Sequence, residues 1–179
     1  MGPVELASSS FGQTFNVTPV QLMAAVSAAV NGGYLVTPHL LEKKLDADNK
    51  VVETTKTTHK RQVISETTSD KMRSLMKFVS ENGAKNSLVS GYNIGAKTGT
   101  SQKVSKIQQT GDKYLYIGSC ITIAPIEKPE IAVFVMLDEP KGSNYYGSVI
   151  SAPVNSKIME DVLPYLGVEP VYTEEEKKE

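Results

Sequence analysis

The chain has 179 residues, 40% hydrophobic and 22% charged, with 19 Lys and Arg against 20 Asp and Glu. This composition excludes a wholly disordered chain, and the near-neutral balance with no Trp excludes nucleic-acid binding by bulk electrostatics. No apolar run approaches the roughly 20 residues that span a bilayer. Cys120 is the only cysteine and there are two histidines, so no internal disulfide, metal site or cofactor is expected.

Residues 1–15, rich in Ser, Gly and Phe, read as an extended lead-in. Thr18-Pro19 opens a helix: the threonine can cap, proline suits the first helical position, and Gln21 completes a capping box. Leu22, Met23, Val26 and Val30 form its apolar face, and Asn31-Gly32-Gly33 ends it. Residues 34–58 are extended, with 40–45 and 51–57 flanking an Asp46-Ala47-Asp48-Asn49 turn. A second helix begins at Ser65 or Thr68 and ends near Gly83, with Met72, Leu75, Met76 and Val79 as its stripe. Segments 92–102, 114–123 and 131–137 have strand character, the last two joined by a short link beginning Ala124-Pro125. Residues 147–163 form a third helix with Ile150, Val154, Ile158 and Val162 on one face and Pro153 in or near its first turn. The end, Glu169 to Glu179, reads as a solvated linker. Three successive strands followed by a helix give an α+β fold, an antiparallel sheet with packed helices.

The stretch that carries chemistry is Lys97-Thr98-Gly99-Thr100. Lys-Thr-Gly is one of three motifs of serine acyl-transfer enzymes that bind penicillin, beside Ser-x-x-Lys and a Ser-x-Asn type. Lys97 places a cation that favours an anionic substrate. The hydroxyls of Thr98 and Thr100 can hydrogen-bond a carboxylate, and Gly99 leaves room for a peptide against the strand. Period two puts Lys97 and Thr98 on opposite faces, so their joint use needs an edge position or strand twist.

The flanks carry a resemblance. Ser8-Ser9-Ser10-Phe11-Gly12-Gln13-Thr14-Phe15-Asn16-Val17-Thr18-Pro19, then Asn31-Gly32-Gly33, precede the motif; Asp138-Glu139-Pro140-Lys141, Tyr145-Tyr146-Gly147 and Ala152-Pro153-Val154 follow it. In order and spacing over residues 8–165 they resemble the C-terminal part of the transpeptidase domain of class B penicillin-binding proteins. Leu166-Gly167-Val168-Glu169-Pro170 and the acidic end look like members that continue into small wall-binding repeats, the sporulation-specific type being the nearer match.

The resemblance implies a partial penicillin-binding transpeptidase (β-lactamase-like) fold, with residues 1–165 as the C-terminal portion of the domain and 166–179 as an acidic linker. It implies a serine D,D-transpeptidase acting on peptidoglycan stem peptides and binding β-lactams, in which Lys97, Thr98, Gly99 and Thr100 bind substrate. Thr100 is the catalytic candidate, its backbone N–H serving as half of an oxyanion hole. It also implies a membrane-anchored parent at the extracytoplasmic face of the cell membrane, with this part soluble and able to self-associate through an exposed strand edge or helix faces.

Two further matches stand in the expected order: Ser74-Leu75-Met76-Lys77 for Ser-x-x-Lys and Ser80-Glu81-Asn82 for Ser-x-Asn. Composition alone predicts about one or two chance Ser-x-x-Lys matches. On a helix whose stripe is Met72, Leu75, Met76 and Val79, Ser74 and Lys77 lie toward the solvated side, whereas a nucleophile needs a cleft and a partly desolvated base. These matches are therefore read as decoys, with the nucleophile motifs outside the chain and the chain alone inactive. The alternative function is a non-catalytic protein-binding module using the same strand. His39 and His59 are read as surface residues, Cys120 as a small buried core residue, Asp138 and Glu139 as a strand-end loop near the cleft mouth, and 143–146 as a mobile loop or a solvated turn.

Overall fold

The computed structural model of the chain describes residues 2–10, 12, 13, 15–112 and 115–172. They form two units, Asn16–Met72 and Met1–Phe15 with Arg73–Glu179.

In the first unit, helix α2 (Pro19–Val30) starts as its sequence predicts. Thr18 Oγ1 accepts the Gln21 N–H while the Gln21 side chain accepts the Thr18 N–H, a reciprocal cap worth about 1 kcal/mol. The chain then turns through Gly32 and Gly33, both at positive φ. Gly33 is also a close approach, since a Cβ there would lie 2.0 Å from the Ile64 carbonyl oxygen. Strand β1 (Tyr34–Val36) pairs antiparallel with β4 (His59–Gln62), and β2 (Lys43–Leu45) with β3 (Val51–Thr54). The β2–β3 turn lies where expected, with Asp46 Oδ1 accepting the N–H groups of Asp48 and Lys50 and Asn49 at φ 61°. Strand β4 extends beyond the predicted limit of residue 58.

Helix α3 is Glu66–Asn82. Its stripe differs from the apolar one read from sequence: Ser69, Met76 and Ser80 are buried, and Leu75 is 58% exposed. The serines belong inside because each meets a backbone group. Ser69 Oγ accepts the Gly32 N–H, and Ser80 Oγ donates toward the Ile94 carbonyl oxygen at 2.5 Å. Small hydroxyl side chains permit that approach, and the bond offsets their desolvation.

The second unit holds the main sheet, in the order β5-β6-β7 and antiparallel throughout: β5 (Gly95–Gln102), β6 (Tyr116–Ala124) and β7 (Ile131–Asp138). Two short helices depart from the sequence expectation. Helix α1 (Pro3–Ser9) replaces the predicted extended lead-in, started by Pro3 and by the Glu5 carboxylate accepting the Gly2 N–H. Helix α4 (Val104–Thr110) follows β5 and stops at Gly111, φ 75°.

The predicted third helix is two, α5 (Gly147–Ile150) and α6 (Ala152–Tyr165). Pro153 has no N–H for the Val149 carbonyl, and Ser151 at the break donates its hydroxyl to the Gly118 carbonyl oxygen. The buried face of α6 is Ala152, Asn155, Met159 and Leu163, not the predicted Ile150, Val154, Ile158 and Val162. Asn155 explains the rotation. Its amide nitrogen lies 3.3 Å from Cys120 O, 3.0 Å from Thr122 Oγ1 and 2.9 Å from Val133 O, anchoring the helix to β6 and β7. The core between sheet and helix is Val89, Ile94, Ala124, Met159 and Leu163, each large side chain contributing about 1.5–3 kcal/mol by burial. Val168 packs on that core, and beyond it Val171 N donates to Gly91 O while Glu169, Val171 and Tyr172 are exposed. Residues 173–179 lie outside the described residues.

Candidate functional site

Lys97–Thr100 lie in β5, at one edge of the sheet. Among the described residues no strand covers the other side of β5. Just past β5, Lys103 N donates to Leu115 O, and just past β7, Glu139 N donates to Tyr116 O. Both pairs continue the strand registers. In antiparallel ladders bonded and non-bonded pairs alternate. Residues 95, 97, 99 and 101 therefore bond to β6, and the N–H and C=O groups of Thr98 and Thr100 point out along the free edge. β5 is thus an edge strand, the position that joint use of Lys97 and Thr98 would need.

The side chains divide by face. Thr98 and Thr100 share a face with Cys120 and Gly118, opposite them in the register, and this face is covered by α5 and α6. Lys97 and Gly99 stand on the other face, with Ile121 and Ser119. Lys97 is exposed, and its Nζ donates to the outward Thr98 carbonyl oxygen at 2.6 Å. Gly99 has one constraint: a Cβ would lie 2.7 Å from Ser119 Oγ. Thr100 Oγ1 accepts the Gly147 N–H at 3.4 Å.

Cys120 is fully buried, as expected. Burial pushes its thiol up to about 11, against a smaller opposing pull from the Lys97 charge, so it is a neutral core residue and not a nucleophile. His39 is exposed, with Nδ1 3.1 Å from Leu41 O, and the exposed His59 ring lies against Tyr34.

Asp138 and Glu139 form an ion-pair clamp that sequence reasoning missed. Lys103 Nζ lies 2.6 Å from Asp138 Oδ1 and 2.8 Å from Glu139 Oε1, which Lys106 also reaches. Hydrogen bonds from Lys103 and Lys106 lower the Glu139 carboxyl to about 2. The clamp ties α4 to the end of β7, where Glu139 turns the chain at φ 51°. The loop after it is not simply solvated: Tyr145 stacks on Tyr116 with ring centres 4.1 Å apart, and Tyr146 tilts against Tyr145.

The Ser-x-x-Lys and Ser-x-Asn matches both lie on α3. Ser74 is exposed. Lys77 is half-buried rather than on a solvated face, donating to Asn93 Oδ1 at 3.0 Å and lying 3.5 Å from Glu127 Oε1. Ser80 is spent on Ile94 O, and Asn82 Nδ2 donates to Phe78 O within its own helix. The described residues hold no group of three or more His, Cys, Asp or Glu placed for a metal ion, and no helix long and apolar enough to cross a membrane.

Comparison with known proteins places the chain in a family. The family model of the penicillin-binding protein transpeptidase domain matches residues 3–160. Stage V sporulation protein D of Bacillus subtilis (strain 168) is 45% identical over 99% of this chain and 28% of that protein. A probable peptidoglycan D,D-transpeptidase PenA of Neisseria flavescens is 33% identical over 93% of this chain and 39% of that protein. Among solved structures, the TP domain of penicillin-binding protein 3 from Burkholderia pseudomallei superposes with a TM-score of 0.76 at 30% identity, over 95% of this chain and 49% of that one. The chain thus spans less than half the length of each of these relatives. With the family model matching most of its length, the chain belongs to the penicillin-binding protein transpeptidase domain family.

Proposed function

We propose that this chain is the substrate-binding portion of a peptidoglycan D,D-transpeptidase, and that the acylated serine, its lysine and the Ser-x-Asn motif lie elsewhere in a longer protein. The observation that carries the reading is the free edge of β5, on which the Lys-Thr-Gly-Thr motif turns the peptide groups of Thr98 and Thr100 outward. A stem peptide adds to that edge as an extra strand. Lys97 and the hydroxyls of Thr98 and Thr100 hold its terminal carboxylate, a charge-assisted contact stronger than a neutral one. The serine oxygen attacks the penultimate D-Ala carbonyl, the Thr100 N–H stabilises the developing oxyanion, and the terminal D-Ala leaves. An acceptor amine then takes the acyl group from the serine. A β-lactam stops at the acyl-enzyme.

Such a protein would act at the extracytoplasmic face of the cell membrane, anchored by a part outside this chain. The same free edge would support self-association of the isolated chain by strand pairing. The test is Lys97→Ala in the longer protein: acylation by a carboxylate-bearing penicillin should fall by about 100-fold, the loss of one charge-assisted contact made in the transition state. Acylation at the wild-type rate would overturn the reading.

A further inference from the structure

Gly147 is the first residue of α5, and the first N–H groups of a helix have no partner inside it. Its buried N–H is directed instead at Thr100 Oγ1. The position has no slack. A Cβ on Gly147 would lie 2.0 Å from Ser119 O and 2.6 Å from Gly99 O, and a Cβ on Gly118, opposite Thr100, would lie 2.7 Å from Tyr145 O. The turn into α5 therefore rests directly on the backbone of the two strands.

A threonine hydroxyl has one proton and two lone pairs. While Oγ1 accepts the Gly147 N–H, its own proton has to point away from that donor. We infer that the Gly147 backbone N–H is a positioning group for the site: it holds the Thr100 hydroxyl as an acceptor on the α5 side and so presents it as a donor to the carboxylate of an anionic acyl donor. The link between Gly147 and Thr100 stands on the geometry alone; the carboxylate rests on the transpeptidase reading. Gly147 itself touches no substrate and acts through Thr100.

The test has two arms. In the chain as it stands, amide hydrogen exchange at Gly147 is compared with that at Ile121 in β6, which cancels any change in global stability. Thr100→Val should speed Gly147 exchange relative to Ile121 by about five-fold, the loss of one ordinary hydrogen bond, and Thr100→Ser should leave the ratio within about two-fold. An unchanged ratio in Thr100→Val overturns the link. In the longer transpeptidase, acylation by a penicillin is compared with acylation by its methyl ester. Thr100→Val should cut the preference for the free carboxylate by about ten-fold and Thr100→Ser should restore it; an unchanged preference overturns the donor assignment. A wild-type protein that takes no penicillin overturns the transpeptidase reading and the carboxylate role with it, while the exchange arm still decides the link.

Discussion

Replacing Gly99 separates packing from substrate binding. Gly99 does not have positive φ, so alanine meets no backbone strain and gains about 0.5–1 kcal/mol by restricting the unfolded chain. Its Cβ would stand 2.7 Å from Ser119 Oγ and within 4 Å of no other heavy atom outside its immediate neighbours. That oxygen is the tip of a side chain that can rotate, at a cost of about 0.5–1.5 kcal/mol. The two terms nearly cancel, so urea unfolding of this chain should show Gly99→Ala within about 1 kcal/mol of wild type, and adding Ser119→Ala should remove any loss. Acylation of the longer protein by labelled penicillin should behave differently. The new methyl stands on the Lys97 face, beside the edge proposed to take the donor, and should lower the rate by about ten-fold or more in both the single and the double variant. A double variant acylating at the wild-type rate would mean that Gly99 serves only to clear Ser119 and leaves no room needed by a substrate.

The clamp and the buried amide give two further outcomes. The Glu139 carboxyl is lowered from 4.5 to about 2, so its contribution to stability is present above pH 4.5 and is lost as pH falls toward 2; Glu139→Gln should abolish that part of the acid dependence in urea titrations at pH 7 and pH 3, and an unchanged difference between the two pH values would count against the clamp. Asn155→Leu removes the amide contacts to Cys120, Thr122 and Val133 but also a buried carbonyl oxygen, Oδ1, that has no hydrogen-bond partner among the described residues. Thermal unfolding should place it only about 1–2 kcal/mol below wild type, and Asn155→Asp, which sets an acceptor against three acceptors, about 3 kcal/mol or more below.

Where chain-local chemistry decides, the sequence was readable. Thr18, Pro19 and Gln21 announced α2, Asp46 and Asn49 the hairpin turn, and the apolar runs β6 and β7. Where a polar residue is buried by a partner distant in sequence, it was not. Ser69, Ser80 and Asn155 turn α3 and α6 away from their apparent apolar stripes because Gly32, Ile94 and Cys120 supply their partners. The Lys103–Glu139 clamp joins residues 36 positions apart, and α4 buries none of its residues. The motif itself was visible as four residues. That the outward peptide groups belong to Thr98 and Thr100 follows only from the register with β6.

In the proposed division of labour this chain positions the acyl donor while another segment is acylated. Intact protein containing this chain and the sequence upstream of it should be labelled with penicillin, digested, and the modified peptide located by mass spectrometry. One adduct is expected, on a serine before residue 1, and none within residues 1–179. An adduct on Ser74 or Ser80 would contradict that division of labour.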